Sequence, residues 1–110
     1  LQSKAYEESL VPFTYLINHY PSNYAAQLNR AIAYLQLGRL DAARRDYEQV
    51  AQALPRSYQA WFGLAEIAYR RKDFPAAITN YQRYLTNAPP DTQEAGQVRA
   101  RLEELQRNSP

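Results

Sequence analysis

The chain has 110 residues, enough for one domain, and its 45% hydrophobic and 22% charged residues belong to a globular sequence rather than a disordered tail. Its 13 basic and 11 acidic residues are interspersed, and a net charge of +2 makes no strong bid for nucleic acid or an anionic membrane. No apolar run approaches the ~18 residues of a membrane span, and the lack of cysteine excludes disulfides, thiolate nucleophiles and Cys-type zinc sites together. Methionine is also absent and the chain begins at Leu1, so a fragment or an upstream-processed chain is expected. The compartment stays open, since composition does not separate cytoplasmic from exported helical proteins.

Self-comparison organises the rest. Pro21, Pro55 and Pro89 fall at intervals of 34 residues. At the same offset Tyr24 matches Tyr58, Ala31 matches Ala65, Leu40 matches Phe74, Ala43 matches Ala77 and Tyr47 matches Tyr81. Coincident columns at one period mark repeated supersecondary units. Residues 1–21 read as the second helix of a truncated unit. Tyr6 precedes Leu40, and Phe13 precedes Tyr47, by the repeat length, and Leu16 and Ile17 continue the stripe. Pro12 falls inside that helix, where it removes a donor and clashes with the preceding turn at a cost of about 3 kcal/mol. A kink is expected there, or a restart near Val11 with Pro12 in the first turn.

In residues 22–55, Ser22 or Asn23 caps a helix over 24–37 that carries Leu28, Ala31, Ile32 and Leu35 at helical spacing. Gly38 stops it, because glycine adopts the left-handed cap conformation cheaply. A second helix over 41–53 buries Ala43, Tyr47, Val50 and Leu54, and Pro55 ends it. In residues 56–89, Ser57 caps a helix over 58–71 with Trp61, Leu64, Ala65 and Ala68 inward. The next helix starts at Pro75, tolerated in a first turn, and buries Ala77, Ile78, Tyr81, Tyr84 and Leu85. In the last segment, Asp91 with Glu94 three residues on reads as a capping box. It opens a helix over 92–106 with Ala95, Val98, Leu102 and Leu105 on one face. Gln97, Arg99, Arg101, Glu103 and Glu104 form a solvated opposite face, as on the last helix of a stack. Asn108, Ser109 and Pro110 read as a frayed end. The ten tyrosines recur regularly and read as packing residues with polar tips.

Trp61, Leu64, Ala65, Ala77, Tyr81 and Pro89, with Ala31, Tyr34, Gly38, Ala43, Tyr47 and Pro55, resemble the tetratricopeptide repeat. The resemblance covers nearly the whole chain. It implies an all-α fold, an α-solenoid of antiparallel helix pairs wound into a right-handed superhelix. It divides one domain into the truncated unit 1–21, repeats 22–55 and 56–89, and a capping helix 90–107. Four positions depart from the pattern. Gln27 replaces the tryptophan and Arg30 the leucine of the first unit, Ala68 replaces the tyrosine of the second, and Tyr84 stands where a small residue is usual.

No catalytic constellation is present. His19 is the only histidine, the three glycines form no phosphate loop, and no Gly-x-Ser-x-Gly or His-Glu-x-x-His occurs. No enzyme, cofactor, metal or small-molecule substrate is expected. The resemblance implies instead that the first helix of each repeat lines a concave groove. Its side chains would be Ala25, Leu28, Asn29, Ile32, Leu35 and Gln36, then Gln59, Phe62, Gly63, Glu66, Tyr69 and Arg70. The helical wheel agrees, since Leu28, Ile32 and Leu35, like Phe62, Glu66 and Tyr69, are spaced by four and three. The apolar members would anchor a partner segment, and Glu66 with Arg70 would set its register or form a surface i,i+4 pair.

The expected role is therefore a scaffold or adaptor that binds a protein or peptide. The alternative is self-association into a homo-oligomer, or filament adaptor work, since similar tetratricopeptide domains occur in kinesin light chains. Two readings rank below these. Leu28-Asn29-Arg30-Ala31 resembles the repeats that clamp a chaperone's C-terminal carboxylate, but Gln59 and Gly63 stand where the clamp needs Lys or Arg. Nucleic-acid binding would rest on Arg44-Arg45 and Arg70-Arg71-Lys72, which helix C-termini favour in any case.

Overall fold

A computed structural model describes residues 2–108 of the chain; Leu1, and Ser109 and Pro110 of the expected frayed end, lie outside the described residues. Six helices follow in order: α1 (Gln2–His19), α2 (Tyr24–Gln36), α3 (Leu40–Ala53), α4 (Tyr58–Arg70), α5 (Phe74–Asn87) and α6 (Ala95–Arg107). No strand occurs among the described residues. The short links within α2–α3 and α4–α5 make each pair an antiparallel hairpin. Each pair stacks on its neighbour to give a body of 45 × 28 × 23 Å. The expected all-α helical repeat is what the chain forms.

Local chemistry sets most helix ends. The Asn23 carboxamide accepts the Ala26 N–H at 3.1 Å and opens α2. Gly38, at φ +76°, closes it: its N–H bonds the Leu35 carbonyl at 3.0 Å and the Arg39 N–H bonds the Tyr34 carbonyl at 2.9 Å. The same closure ends α4, where Lys72 occupies the left-handed position at φ +62°. There Lys72 N–H bonds the Tyr69 carbonyl and Asp73 N–H bonds the Ala68 carbonyl, at 3.0 and 2.9 Å. Asp73 then caps α5 by accepting from Ala76 N–H at 3.4 Å. The helix therefore starts at Phe74, one residue ahead of the expected Pro75.

Two expectations meet a different outcome. α1 continues through Pro12, so the helix does not restart there. Pro12 and Glu8, whose carbonyl loses its donor, both lie on the exposed side of the helix, where a lost bond costs least. The Asp91–Glu94 box does not form, and α6 starts at Ala95. Tyr84 is the reason: its phenol oxygen hydrogen-bonds the Thr92 hydroxyl and donates to the Glu94 carboxylate at 3.3 Å. With those caps engaged, residues 90–94 remain a turn.

The core has two clusters. One gathers Ala31, Leu35, Ala43, Tyr47, Val50, Ala51, Ala60 and Ile67. The other gathers Ala65, Ala68, Ala77, Tyr81, Tyr84, Ala95, Val98, Leu102 and Leu105. Ala31, Ala43, Ala65 and Ala77 are each 0% exposed, which leaves no room for a larger side chain where the helices approach. Trp61 packs against both clusters but is itself only half-buried, as is Leu64; Ala65 and Ala68 are buried as expected, and Ala60, Gly63 and Ile67 join them on the inward side of α4. Ile32 and Leu54, read as stripe residues, are exposed, and Leu28 is half-buried. Stripe counting assumes one buried side per helix, whereas α4 is packed by α2, α3 and α5 together.

The departures of the first unit form one structure. Arg30 forks onto Asp46, Nε to Oδ2 at 2.8 Å and Nη2 to Oδ1 at 2.7 Å. Gln27, buried, donates to Asp46 Oδ1 at 3.4 Å and to Gln49 Oε1. Arg30 also donates to Thr14 Oγ1 at 3.2 Å, which ties α1 to the α2–α3 pair. Arg39 and Glu7 add a second tie at 2.6 Å. The hydrogen bonds to Asp46 raise the Arg30 pKa against the opposing effect of burial. Arg30 thereby neutralises a carboxylate that is only 4% exposed.

Candidate functional site

α2 and α4 lie side by side. Ile67 of α4 packs into the cluster that holds Leu35 of α2, and Arg70 Nη1 donates to the Leu35 carbonyl at 3.1 Å. A cavity of about 440 Å³ opens along this seam. Ile32, Leu35 and Gln36 of α2 line it with Tyr58, Gln59 and Phe62 of α4. Tyr47, Tyr84, Thr92, Gln93 and Glu94 complete the lining. Five residues read from the sequence as groove members, Ile32, Leu35, Gln36, Gln59 and Phe62, thus share one concavity.

The others are placed elsewhere. Leu28 packs against the first core cluster, and Asn29 is exposed outside the cavity. Gly63 is buried, and a Cβ there would fall within the Tyr47 ring, so it serves packing. Glu66 and Tyr69 are engaged by α6. Arg101 Nη1 bonds Glu66 Oε1 at 2.7 Å and the Tyr81 phenol oxygen at 2.9 Å, and its guanidinium lies 4.0 Å over the Tyr69 ring. Tyr81 also donates to Glu66. The expected Glu66–Arg70 pair is therefore absent among the described residues, because Arg101 holds Glu66 and Arg70 holds the Leu35 carbonyl. Arg101 itself, expected on the solvated face of α6, is turned inward and half-buried.

Sequence reading missed Tyr47, Tyr58, Tyr84 and the 92–94 turn. The signal for Tyr84 was its size at a small-residue position. Its ring is 1% exposed, with Tyr58 edge-on at 5.8 Å and Phe62 tilted at 5.7 Å. Nothing local marks residues 92–94, which reach the cavity only because the turn folds back on Tyr84.

The cavity is apolar and aromatic beneath, with the carboxamides of Gln36, Gln59 and Gln93 around it and, among the described residues, Glu94 as its only charged lining residue. Burial raises the phenol pKa values of Tyr47 and Tyr84, so both stay neutral donors. Such a surface buries an apolar side chain and hydrogen-bonds the main chain beside it. It lacks a paired nucleophile and base. Among the described residues no group of three His, Cys, Asp or Glu is arranged to hold a metal ion. No helix among them is long and apolar enough to cross a membrane.

The family model described as Tetratricopeptide repeat matches residues 13–55 and 28–92. The tetratricopeptide repeat and J domain-containing co-chaperone DNJ1 of Cryptococcus neoformans var. grubii is 37% identical over 65 residues, which is 59% of this chain and 12% of that protein. The protein of the same name from Fusarium oxysporum f. sp. lycopersici is 35% identical over 74 residues, 67% of this chain and 14% of that protein. The chain thus spans only a small part of the relatives it matches.

Proposed function

We propose that this chain, which belongs to the tetratricopeptide repeat family, binds a peptide or protein segment in the cavity between α2 and α4 and acts as a non-catalytic scaffold or adaptor. Family membership makes it a protein–protein interaction module. The finer reading rests on one observation, the joining of Ile32, Leu35, Phe62, Tyr58 and Tyr84 under a rim of glutamines. An apolar floor takes one large side chain of the partner, and the carboxamides take its main chain, so the preferred partner is an extended segment with an apolar anchor. Glu94 as the only lining charge disfavours a terminal carboxylate in this cavity. Both relatives are named co-chaperones, which supports service to a chaperone system. In this reading residues 22–55 and 56–89 are the recognition units and 90–107 closes the stack.

Peptides selected by display on the parent chain provide the test. Ile32 is 38% exposed, so Ile32→Glu leaves the core intact while placing a charge at the apolar floor. Affinity for the selected peptides is expected to fall roughly tenfold or more, the scale of an interface anchor. Peptides that bind parent and variant equally would place recognition elsewhere.

A further inference from the structure

A second, larger cavity of about 680 Å³ lies on the other side of α4, between α3 and α5. Helical geometry separates the two sites: Leu64 and Ala68 fall on the far side of the α4 wheel from Gln59 and Phe62, with Trp61 between that side and Tyr58. Its origin is visible by comparing the two repeats. Leu64, Ala68, Ala76, Asn80 and Arg83 line it, and the residues 34 positions earlier are Arg30, Tyr34, Ala42, Asp46 and Gln49. Those five line the corresponding cleft of the first unit, which measures only about 280 Å³. There the Tyr34 ring and the Arg30–Asp46 ion pair fill the space. In the second unit the ring has become Ala68, the arginine Leu64 and the carboxylate the neutral Asn80.

At these five aligned positions the Arg30–Asp46 pair is lost and a single arginine, Arg83, is gained. Arg83 approaches the Asn80 carboxamide oxygen at 3.3 Å and lies 4.8 Å over the Trp61 ring; among the described residues no carboxylate pairs with it. The acids nearby are already used. Glu48 pairs with Arg44 at 3.2 Å, Asp41 pairs with Arg71 at 2.6 Å, and Asp73 caps α5. The cleft thus joins an apolar floor to the Arg83 guanidinium, which stands where the first unit has the neutral Gln49 and meets only the amide of Asn80.

We propose that this cleft is a second docking site, for an acidic amphipathic peptide segment whose carboxylate pairs with Arg83 and whose apolar side chain lies on Leu64 and Ala68. The carboxylate meets Arg83 beside the neutral Asn80 amide, and the apolar side chain fills the volume of the missing Tyr34 ring.

Trp61 lines the cleft and is the chain's only tryptophan, so its emission reports on the site directly. The parent chain is titrated with a short synthetic peptide of alternating Asp and Leu, and with its Lys-for-Asp counterpart. A saturable change with the acidic peptide alone is expected. Asn80→Asp, which supplies an internal counter-charge to Arg83, and Arg83→Gln should each weaken binding about tenfold, the worth of a hydrogen bond to a charged group. Ala68→Tyr should abolish binding while circular dichroism shows a folded chain; if it does not fold, the Asn80→Asp result decides. Ile32→Glu, across α4, should change nothing. The proposal is overturned by no emission change, by equal binding of the Lys peptide, by parent-like binding of Asn80→Asp or of folded Ala68→Tyr, or by loss of binding in Ile32→Glu.

Discussion

Among the described residues Lys72 is the one non-glycine residue with positive φ. It holds φ +62° in the same closure that Gly38 makes at φ +76°, and a side chain in the left-handed region costs about 1 kcal/mol. Lys72 is exposed, so Lys72→Gly removes that strain without opening the core. It is expected to stabilise the chain by up to about 1 kcal/mol, less the added freedom of glycine in the unfolded state; urea denaturation gives the midpoint shift. An unchanged or lower midpoint would show that the cap tolerates lysine freely. The stop at Gly38 was legible in the sequence because glycine advertises it. The identical stop at Lys72 was only implied by the period. Gly63 was misjudged for a related reason: its place on the helix is readable, but the ring of Tyr47 lying against it belongs to another helix.

At the scale of the helix, the first unit replaces an apolar contact with a buried ion pair. The side chains of Arg30 and Asp46 are 17% and 5% exposed. Removing one partner leaves the other uncompensated, so Asp46→Ala is expected to cost about 3 kcal/mol or more, read from denaturant unfolding. Arg30→Leu with Asp46→Asn, the pair found in the second unit, should be far milder than the single change, because neither charge remains. A single Asp46→Ala cost below about 1 kcal/mol would mean that water solvates Arg30 in place. The terminal helix shows the same dependence on a partner. α6 buries Ala95, Val98, Leu102 and Leu105 as its stripe requires. Yet Arg101, from the expected outer face, supplies the bond to Glu66.

At the scale of the whole molecule, burial raises the phenol pKa values of Tyr47, Tyr81 and Tyr84 above the ordinary 10.0. Glu66 adds to the shift at Tyr81. The folded chain therefore holds protons that the unfolded chain releases. This stability is fully present below pH 10 and declines as pH rises from 10 toward the raised values. The slope is up to about 1.4 kcal/mol per pH unit for each phenol. Far-UV circular dichroism should show helix loss steepening above pH 10, coincident with a late fraction of the phenolate absorbance. Complete tyrosine ionisation with helicity intact would contradict it.

By itself the amino-acid sequence determined the repeat, the helix order and most helix ends, along with the small residues at closest approach. Asn23, Gly38, the spaced prolines and Ala31, Ala43, Ala65 and Ala77 act through their own backbone preferences or size, and such properties are written residue by residue. The resemblance to the repeat, rather than periodicity alone, placed Ile32, Leu35, Gln36, Gln59 and Phe62 on one surface, since the angle around each helix axis is readable but the facing of two helices is not. Only the tertiary structure decided that Arg101 would take Glu66 and Tyr69, that Tyr84 would recruit Thr92 and Glu94, and that Arg30 would seek Asp46. Those outcomes depend on the distance and rotation of a neighbouring helix. Long polar side chains choose among several partners within reach, so their final contacts emerge only when the helices are packed.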